Sequence, residues 1–241
     1  MRKTATLALA TALLLAACGG GDPDAAARAA AERAAAAERQ AETMARQFDE
    51  AVAARNWHLA KGYGDVLLMD HPASAAAARV KPLLEDVRAK DEAARQERRL
   101  AALWAYGDEP VGKHGHQLSA AIYSQEPVDT DGSGAHPVRL VFRDHPDWGR
   151  SSYLVLEAGD FDCYGGCRLK VTVDGKVHTL PGSRPKTDEA IAMFIDDHRA
   201  LWKLARAGRQ LSIEFPTRAV GSKTAEFEVG GLDPARLPGW N

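Results

Sequence analysis

The stretch that decides the fold is residues 168–179, which read Arg-Leu-Lys-Val-Thr-Val-Asp-Gly-Lys-Val-His-Thr. Two runs rich in β-branched residues flank the dipeptide Asp174-Gly175. A two-residue turn between antiparallel strands requires a positive φ angle at both positions, and Asp-Gly tolerates this conformation well. The stretch therefore predicts a β-hairpin and makes the sheet antiparallel at this point.

Further candidate strands lie on both sides of this hairpin, at residues 118–124, 138–142, 153–158, 211–215 and 224–229. Gly and Pro become frequent after Gly107, which predicts a domain boundary near residues 107–116. One helix is predicted over residues 188–207, capped by Asp188 and ended by Gly208 in the left-handed conformation. His198 lies on its apolar face, where a histidine of the core is a commoner outcome than a ligand. We therefore expect residues 107–241 to form an antiparallel β-sandwich-like domain with one packed helix.

The N-terminal half is rich in residues that favour helices. Ala, Arg and Glu dominate residues 18–43, which predicts a tether and helical stalk, with disorder of residues 19–40 as the alternative. Residues 44–106 show a helical period with a break at Asn56 and a stop at Pro72, so we expect a helical hairpin similar to one tetratricopeptide-like pair. Pro82 predicts a kink or a fresh helix start, and Ser74 is a candidate N-cap. The fold class is therefore α+β.

The first residues have the pattern of an export signal. Arg2 and Lys3 precede an apolar run over residues 4–15, which is too short to span a bilayer permanently. The run ends in Leu15-Ala16-Ala17-Cys18, which resembles the lipobox of bacterial lipoproteins. A buried core helix and a plain secretory signal with an incidental cysteine are the alternatives.

The lipobox resemblance implies a location. Residues 1–17 would be the signal peptide, Cys18 would carry the lipid that attaches the chain to the membrane, and several acyl chains together would give a lasting anchor. Gly19 stands where an aspartate favours inner-membrane retention, so we expect the periplasmic leaflet of the outer membrane. With 31 Lys+Arg against 33 Asp+Glu the formal net charge is −2, and we expect no nucleic-acid partner.

The C-terminal third carries a second resemblance. The residues concerned are the hairpin at Asp174, a segment beginning Met193-Phe194-Ile195, and residues 211–216 and 225–232. Residues 165–240 thereby resemble VasI-type proteins, found with type VI secretion genes, and invasion-associated locus B-like periplasmic proteins. The resemblance implies a small β-sandwich with an interaction role and transfers no functional residue. The tail 237–240 departs from the VasI pattern because it lacks a cysteine.

Cys163 and Cys167 are separated by three residues, two of which are glycines. In a chain exported to an oxidising compartment this spacing predicts a disulfide, and the glycines let the backbone bring the two sulfurs together. A redox-active pair, a metal site and two free thiols are the alternatives. The closed loop is short, so its entropic stabilisation is small.

Two segments contain residues that bind metals elsewhere. His114 and His116 form a pair that could chelate a transition metal, although solvated linker residues are the commoner outcome. Asp129, Asp131 and Ser133 match the first half of a calcium loop. Leu140 occupies the position of the bidentate Glu, so a polar hairpin loop is favoured over calcium.

No motif for a nucleophile elbow, a zinc helix, a phosphate loop or a dinucleotide fingerprint occurs in the sequence, and we expect no catalytic residue and no cofactor. The expected function is a non-enzymatic envelope module that binds another envelope or secreted protein, as a secretion accessory or an immunity protein. Trp148 and Tyr164 are the candidate binding residues. The alternative is a periplasmic hydrolase that uses the acidic side chains of residues 144–162.

Overall fold

The computed structural model describes residues 23–188 and 190–240. The expected signal peptide and the lipidation residue Cys18 lie outside the described residues. Within the described part, no helix has both the length and the apolar character needed to cross a membrane. The described part of the chain divides into two compact units, the first ending at Asp91 and the second beginning at Glu92, whereas the residue statistics had placed the boundary near residue 107.

Three helices make up the N-terminal part: α1 (Pro23–Ala53), α2 (Trp57–Asp70) and α3 (Ala75–Ala102). Asn56 caps α2, since its side-chain oxygen accepts a hydrogen bond from the backbone N–H of Leu59. Ser74 caps α3 in the same way, because its hydroxyl oxygen accepts from the N–H of Ala77. Where one hairpin was expected for residues 44–106, the structure has the second half of α1 followed by two further helices.

The core of the first unit is built largely from small side chains. Gly64 of α2 is part of this close packing, because a Cβ there would come 2.6 Å from Leu84 and 3.3 Å from Phe48. The buried residues are Ala41, Ala45, Phe48, Ala51, Ala60, Leu67, Ala76, Ala77, Val80, Leu84 and Val87.

No new helix starts at Pro82, because α3 runs through this residue. Proline removes one helical hydrogen bond, which leaves the carbonyl of Ala78 without its usual donor. Both residues are exposed, so water can reach this carbonyl. Buried Val80 and Leu84, on either side of Pro82, anchor the helix to its core.

Eleven strands are assigned in the described part of the second unit. They are β1 (Ala105–Pro110), β2 (His116–Tyr123), β3 (Val128–Asp129), β4 (Ala135–His136), β5 (Arg139–His145), β6 (Gly149–Val155), β7 (Cys167–Val173), β8 (Lys176–Ser183), β9 (Ala192–Ile195), β10 (Gln210–Thr217) and β11 (Gly221–Glu228). Nine form one antiparallel sheet in the order β1-β2-β5-β6-β9-β8-β7-β10-β11, and β3 pairs with β4 separately. The predicted α+β class is confirmed.

The sheet curves around a single hydrophobic core. Ile122 of β2 and Phe227 of β11 lie near opposite ends of the strand order, yet both belong to the same buried cluster. The backbone N–H of Gln125, just after β2, donates to the carbonyl of Glu226 in β11. The sandwich-like packing therefore arises from one continuous sheet that folds over itself.

The predicted β-hairpin is present and consists of β7 and β8, joined by the turn at Asp174 and Gly175. Asp174 and Gly175 have φ angles of 46° and 83°, as the turn requires. The Asp174 carboxylate also accepts hydrogen bonds from the backbone N–H groups of Gln210 and Arg209, which hold the pKa of this carboxyl below its usual value. The turn is thereby tied to the start of β10.

The helix expected over residues 188–207 is only half right. Its first part is strand β9 (Ala192–Ile195), and α4 (His198–Ala207) is capped by Asp197 rather than by Asp188. Met193 and Ile195 are buried whereas Ala192 and Phe194 are less so, which is the two-residue period of a strand. Pairing with β6 and β8 fixes this segment, and no local propensity signals such pairing.

Gly208 ends α4 as expected, but in an extended conformation with a φ of −95°, so the predicted left-handed conformation is wrong. A close approach explains the glycine instead. A Cβ at this position would lie 2.3 Å from a side-chain carbon of Val173 and 3.2 Å from the carbonyl oxygen of Leu204. The position therefore requires a residue without a side chain.

Candidate functional site

One face of the sheet carries aromatic rings and arginines instead of a hydrophobic core. In β5 the side chains of Leu140 and Phe142 enter the core, so Arg139 and Arg143 project from the opposite face. The same alternation places rings from the neighbouring strands beside them. We call the following set the aromatic–arginine face: Tyr123, Arg139, Arg143, His145, Trp148, Tyr153 and Phe194.

The rings on this face hold both guanidinium groups. The guanidinium carbon of Arg143 lies 5.3 Å from the ring centroid of Trp148 and 5.4 Å from that of Tyr153. Arg139 lies over the ring of Tyr123 at 5.8 Å. Each such cation–π contact contributes about 0.5–1 kcal/mol at an exposed site. The arginines are therefore oriented before any ligand arrives.

Trp148 is the most exposed of these aromatic residues, with 71% of its surface accessible. Its ring stacks on His145, with centroids 3.9 Å apart and planes 12° from parallel. The His145 Nδ1 atom accepts hydrogen bonds from the backbone N–H groups of Asp147 and Trp148, which fixes the turn between β5 and β6. Trp148 is thus an exposed ring on a rigid support, as binding hot spots require.

Three polar atoms of this region are buried without a hydrogen-bond partner among the described residues: Arg139 Nε, Arg143 Nε and Ser151 Oγ. Ser151 is the direct cross-strand neighbour of Arg143. Buried polar atoms are normally paired, since leaving one unpaired costs about 1–3 kcal/mol. Neither arginine takes part in an ion pair with a described carboxylate, unlike Arg150 and Arg184. The face therefore has donor capacity that its own residues do not use.

Sequence reasoning identified Trp148 but missed the rest of this face. Arg139 lies within the predicted strand 138–142, and Arg143 directly follows it. Two arginines that share one face of a strand, with Val141 between them, are the signal that could have been used. Which rings surround them depends on strand order, because Tyr153 and Phe194 come from β6 and β9.

Tyr164, the second predicted binding residue, belongs to a different cluster. Its ring lies 4.0 Å from the Arg184 guanidinium, and its hydroxyl donates to the carbonyl of Asp188. It follows Cys163 directly in the disulfide loop. The structure therefore gives Tyr164 contacts within this loop region, although 53% of its surface remains accessible.

The predicted disulfide between Cys163 and Cys167 is confirmed, with the two Cα atoms 5.2 Å apart. Gly165 and Gly166 adopt positive φ angles of 74° and 100°, which close the short loop. Cys163 is buried, and Cys167 begins β7. The bridge therefore fixes the entry to the central hairpin.

The calcium candidates are engaged with their own backbone. Asp129 Oδ1 accepts from the N–H groups of Asp131 and Gly132, and Asp131 Oδ1 accepts from the N–H and hydroxyl of Ser133. The Ser133 hydrogen bonds hold the pKa of Asp131 below its usual value. The segment is the loop between β3 and β4, which agrees with a polar hairpin.

The two histidines proposed as a metal pair contact different aspartates. His114 Nδ1 lies 2.8 Å from a carboxylate oxygen of Asp147, and His116 Nδ1 lies 2.5 Å from one of Asp108. Within residues 23–188 and 190–240, no group of three or more His, Cys, Asp or Glu side chains is arranged to hold a metal ion.

The acidic residues of the hydrolase alternative are divided among separate cations. Asp160 is buried against Arg184, Asp144 lies 3.9 Å from Arg150, and Glu157 lies 3.7 Å from His136. A pair of carboxylates that share one substrate must face each other across a cleft. Each of the three carboxylates instead faces a cation of its own.

Comparison with known proteins found one similar solved structure and no matching family or curated protein. Among solved structures, the chain is similar to the crystal structure of invasion associated protein B from Bartonella henselae, at 15% sequence identity and a TM-score of 0.36. The match covers 57% of this chain and 91% of that one. The VasI-type resemblance stays a prediction.

Proposed function

We propose that this chain is a lipoprotein of the bacterial outer membrane, anchored through Cys18 and facing the periplasm, which binds another envelope or secreted protein without catalysis. The aromatic–arginine face is the binding surface. The observation that carries the proposal is the exposed ring of Trp148, which contacts with His145 and Arg143 hold in place. Trp, Tyr and Arg are the residue types that dominate the binding energy of protein interfaces.

The anchor and the binding surface need separate tests. Incorporation of labelled palmitate into the wild-type chain, and its loss in Cys18→Ser, would support the anchor. Equal labelling of both chains, or processing that is insensitive to globomycin, would overturn it.

For the binding surface, a photo-crosslinking amino acid is placed at position 148 in cells. The matched control carries it at Val177, which is similarly exposed but lies on β8, outside the aromatic–arginine face. We expect one discrete crosslinked partner from position 148 alone, and its loss when Arg143→Ala is added. Identical crosslinks from both positions, or none, would overturn the proposal. A secretion component as partner would favour the accessory role, and a toxin the immunity role.

A further inference from the structure

We infer that the aromatic–arginine face recognises an extended segment of its partner that carries two carboxylates four residues apart. This inference rests on the proposed function and specifies the chemistry of the partner. Arg139 and Arg143 receive the two carboxylates, and Tyr153 lies under the residue between them.

The positive charge of the two arginines favours an acidic ligand. Their cation–π contacts hold both guanidinium groups beside aromatic rings, and the N–H groups of a guanidinium are where carboxylates bind. The Nε atom of each arginine is buried without a hydrogen-bond partner among the described residues, so a carboxylate from outside would bind the terminal Nη groups.

The nearby carboxylates do not neutralise these arginines. Asp144 is next to Arg143 in sequence but pairs with Arg150 across the strands. Asp196 follows β9 and accepts a hydrogen bond from the Ser183 hydroxyl at 2.6 Å. The positive charge of Arg139 and Arg143 is therefore left for a group that comes from outside the described chain.

The spacing of the two arginines favours a ligand in an extended conformation. Their Cα atoms lie four residues apart on one strand, which corresponds to roughly 13–14 Å along the strand axis. An extended peptide that lies along β5 repeats the same distance between its first and fifth residues. A helix would need about nine residues to cover that distance. The matching ligand is thus a short extended acidic segment.

The position between the two arginines selects an uncharged residue. Val141 separates Arg139 from Arg143 on this face, and its cross-strand neighbour is Tyr153. Val141 is buried, so the ring of Tyr153, which contacts Phe194 edge-on at 5.6 Å, is the accessible part of this central position. An aliphatic side chain fits there, whereas a third carboxylate would lose its hydration without gaining a cation.

The charge balance of the chain favours carboxylates of a protein over an anionic surface such as nucleic acid or lipid, because a guanidinium group by itself binds phosphate as well as carboxylate. Arginine binds a carboxylate through two parallel hydrogen bonds, which fixes both distance and orientation. A nucleic-acid or lipid site depends instead on a broad excess of positive charge, and the chain as a whole has a net charge of −2.

The test measures binding of fluorescent peptides to the full-length chain in detergent micelles. The probe peptide is Glu-Ser-Leu-Ser-Glu with blocked ends. Its controls are the isomer with the two Glu residues two positions apart, the Gln-Ser-Leu-Ser-Gln peptide, and a helical peptide with Glu residues nine positions apart. We expect the probe to bind about tenfold tighter than the isomer and the helical peptide, as the loss of one charge-assisted contact implies, and tighter still relative to the Gln peptide, which loses both.

Variants assign the effect to the arginines. Arg143→Lys and Arg139→Lys keep the charge but lose the paired hydrogen bonds, so each should weaken binding of the probe about tenfold. Arg168→Lys, at an exposed position of β7 outside this face, is the matched control and should change nothing. Circular dichroism verifies that all three variants are folded.

The outcomes separate the inference from the proposed function. Equal binding of the isomers, stronger binding of the helical peptide, or preference for phosphatidylglycerol vesicles over the probe would overturn the inference. A crosslinked partner at position 148 with no selective binding of the probe would leave the proposed function standing alone. Selective binding of the probe without any partner in cells would support the recognition chemistry and overturn the proposed function.

Discussion

The Arg184 guanidinium lies 2.9 Å from one carboxylate oxygen of Asp160 and 3.0 Å from the other, and both residues are buried. The same carboxylate accepts a hydrogen bond from the backbone N–H of Ala190, and Arg184 also donates to the carbonyls of Phe161 and Thr187. Asp160 thus joins the segment before the disulfide to the segment before β9. These contacts give Asp160 a structural role.

Replacing Asp160 should therefore affect stability. Asp160→Asn keeps the shape but leaves the Arg184 charge buried without its partner, which costs about 3–5 kcal/mol. Asp162→Asn is the matched control, because Asp162 is exposed and should change the free energy of unfolding by less than about 0.5 kcal/mol. Urea denaturation monitored by fluorescence measures both. Equal stability of the two variants would contradict the structural role.

The disulfide should contribute modestly because its loop is short. Cys163 and Cys167 are four positions apart, and closing a loop of this size stabilises the folded state by about 2 kcal/mol in the chain-entropy model. The double variant Cys163→Ala, Cys167→Ala should unfold at a correspondingly lower urea concentration. Wild type in dithiothreitol should match it. A loss of all cooperative unfolding would show that the bridge is required for folding instead.

The Asp174 turn provides a prediction with a defined pH dependence. The pKa of Asp174 is lowered from its usual value of 3.8 by hydrogen bonds from the backbone N–H groups of Gln210 and Arg209. A carboxyl with a depressed pKa in the folded state contributes stability above pH 4, and that contribution is lost as the pH falls through its folded-state pKa.

The matched variant is Asp174→Asn, since Asn also adopts the left-handed conformation that this position requires. Wild type should be more stable than the variant at pH 7, and the difference should shrink below about pH 4. Urea denaturation at pH 7, 5 and 3 measures it. A difference that stays constant down to pH 3 would show that the carboxylate charge does not contribute.

The sequence predicts those parts of the structure that depend on residues close together in the chain. The Asp174-Gly175 turn, the break at Asn56 and the Ser74 cap were predicted because each depends on residues within a few positions. Residues 192–195 were predicted as helix, since their apolar pattern was read with a helical period. Their strand conformation comes from pairing with β6 and β8, which lie far away in the sequence.

The same reasoning applies to the candidate site. Trp148 was recognised because a single exposed aromatic residue in a loop is visible in the sequence. The set around Arg143 was not recognised, because Tyr153 and Phe194 come from strands whose order no local pattern gives. The Asp160 pair was missed for the same reason, since Arg184 lies 24 positions along the chain.

Two glycines of α2 give a matched pair of substitutions within one helix. Gly62 has open space around its Cα, whereas a Cβ on Gly64 would come 2.6 Å from Leu84 and 3.3 Å from Phe48, both fully buried. Alanine has a higher helix propensity than glycine by about 0.8–1 kcal/mol, and this gain applies at both positions. Overpacking of a close-packed core costs about 1–3 kcal/mol and applies at Gly64 alone.

Gly62→Ala should therefore raise the free energy of unfolding by up to about 1 kcal/mol, and Gly64→Ala should be less stable than Gly62→Ala by about 1–3 kcal/mol. Thermal unfolding monitored by circular dichroism at 222 nm measures both variants. The comparison isolates packing, since helix, residue type and substitution are the same. Equal stability of the two variants would show that α2 does not approach Leu84 and Phe48 as closely as described.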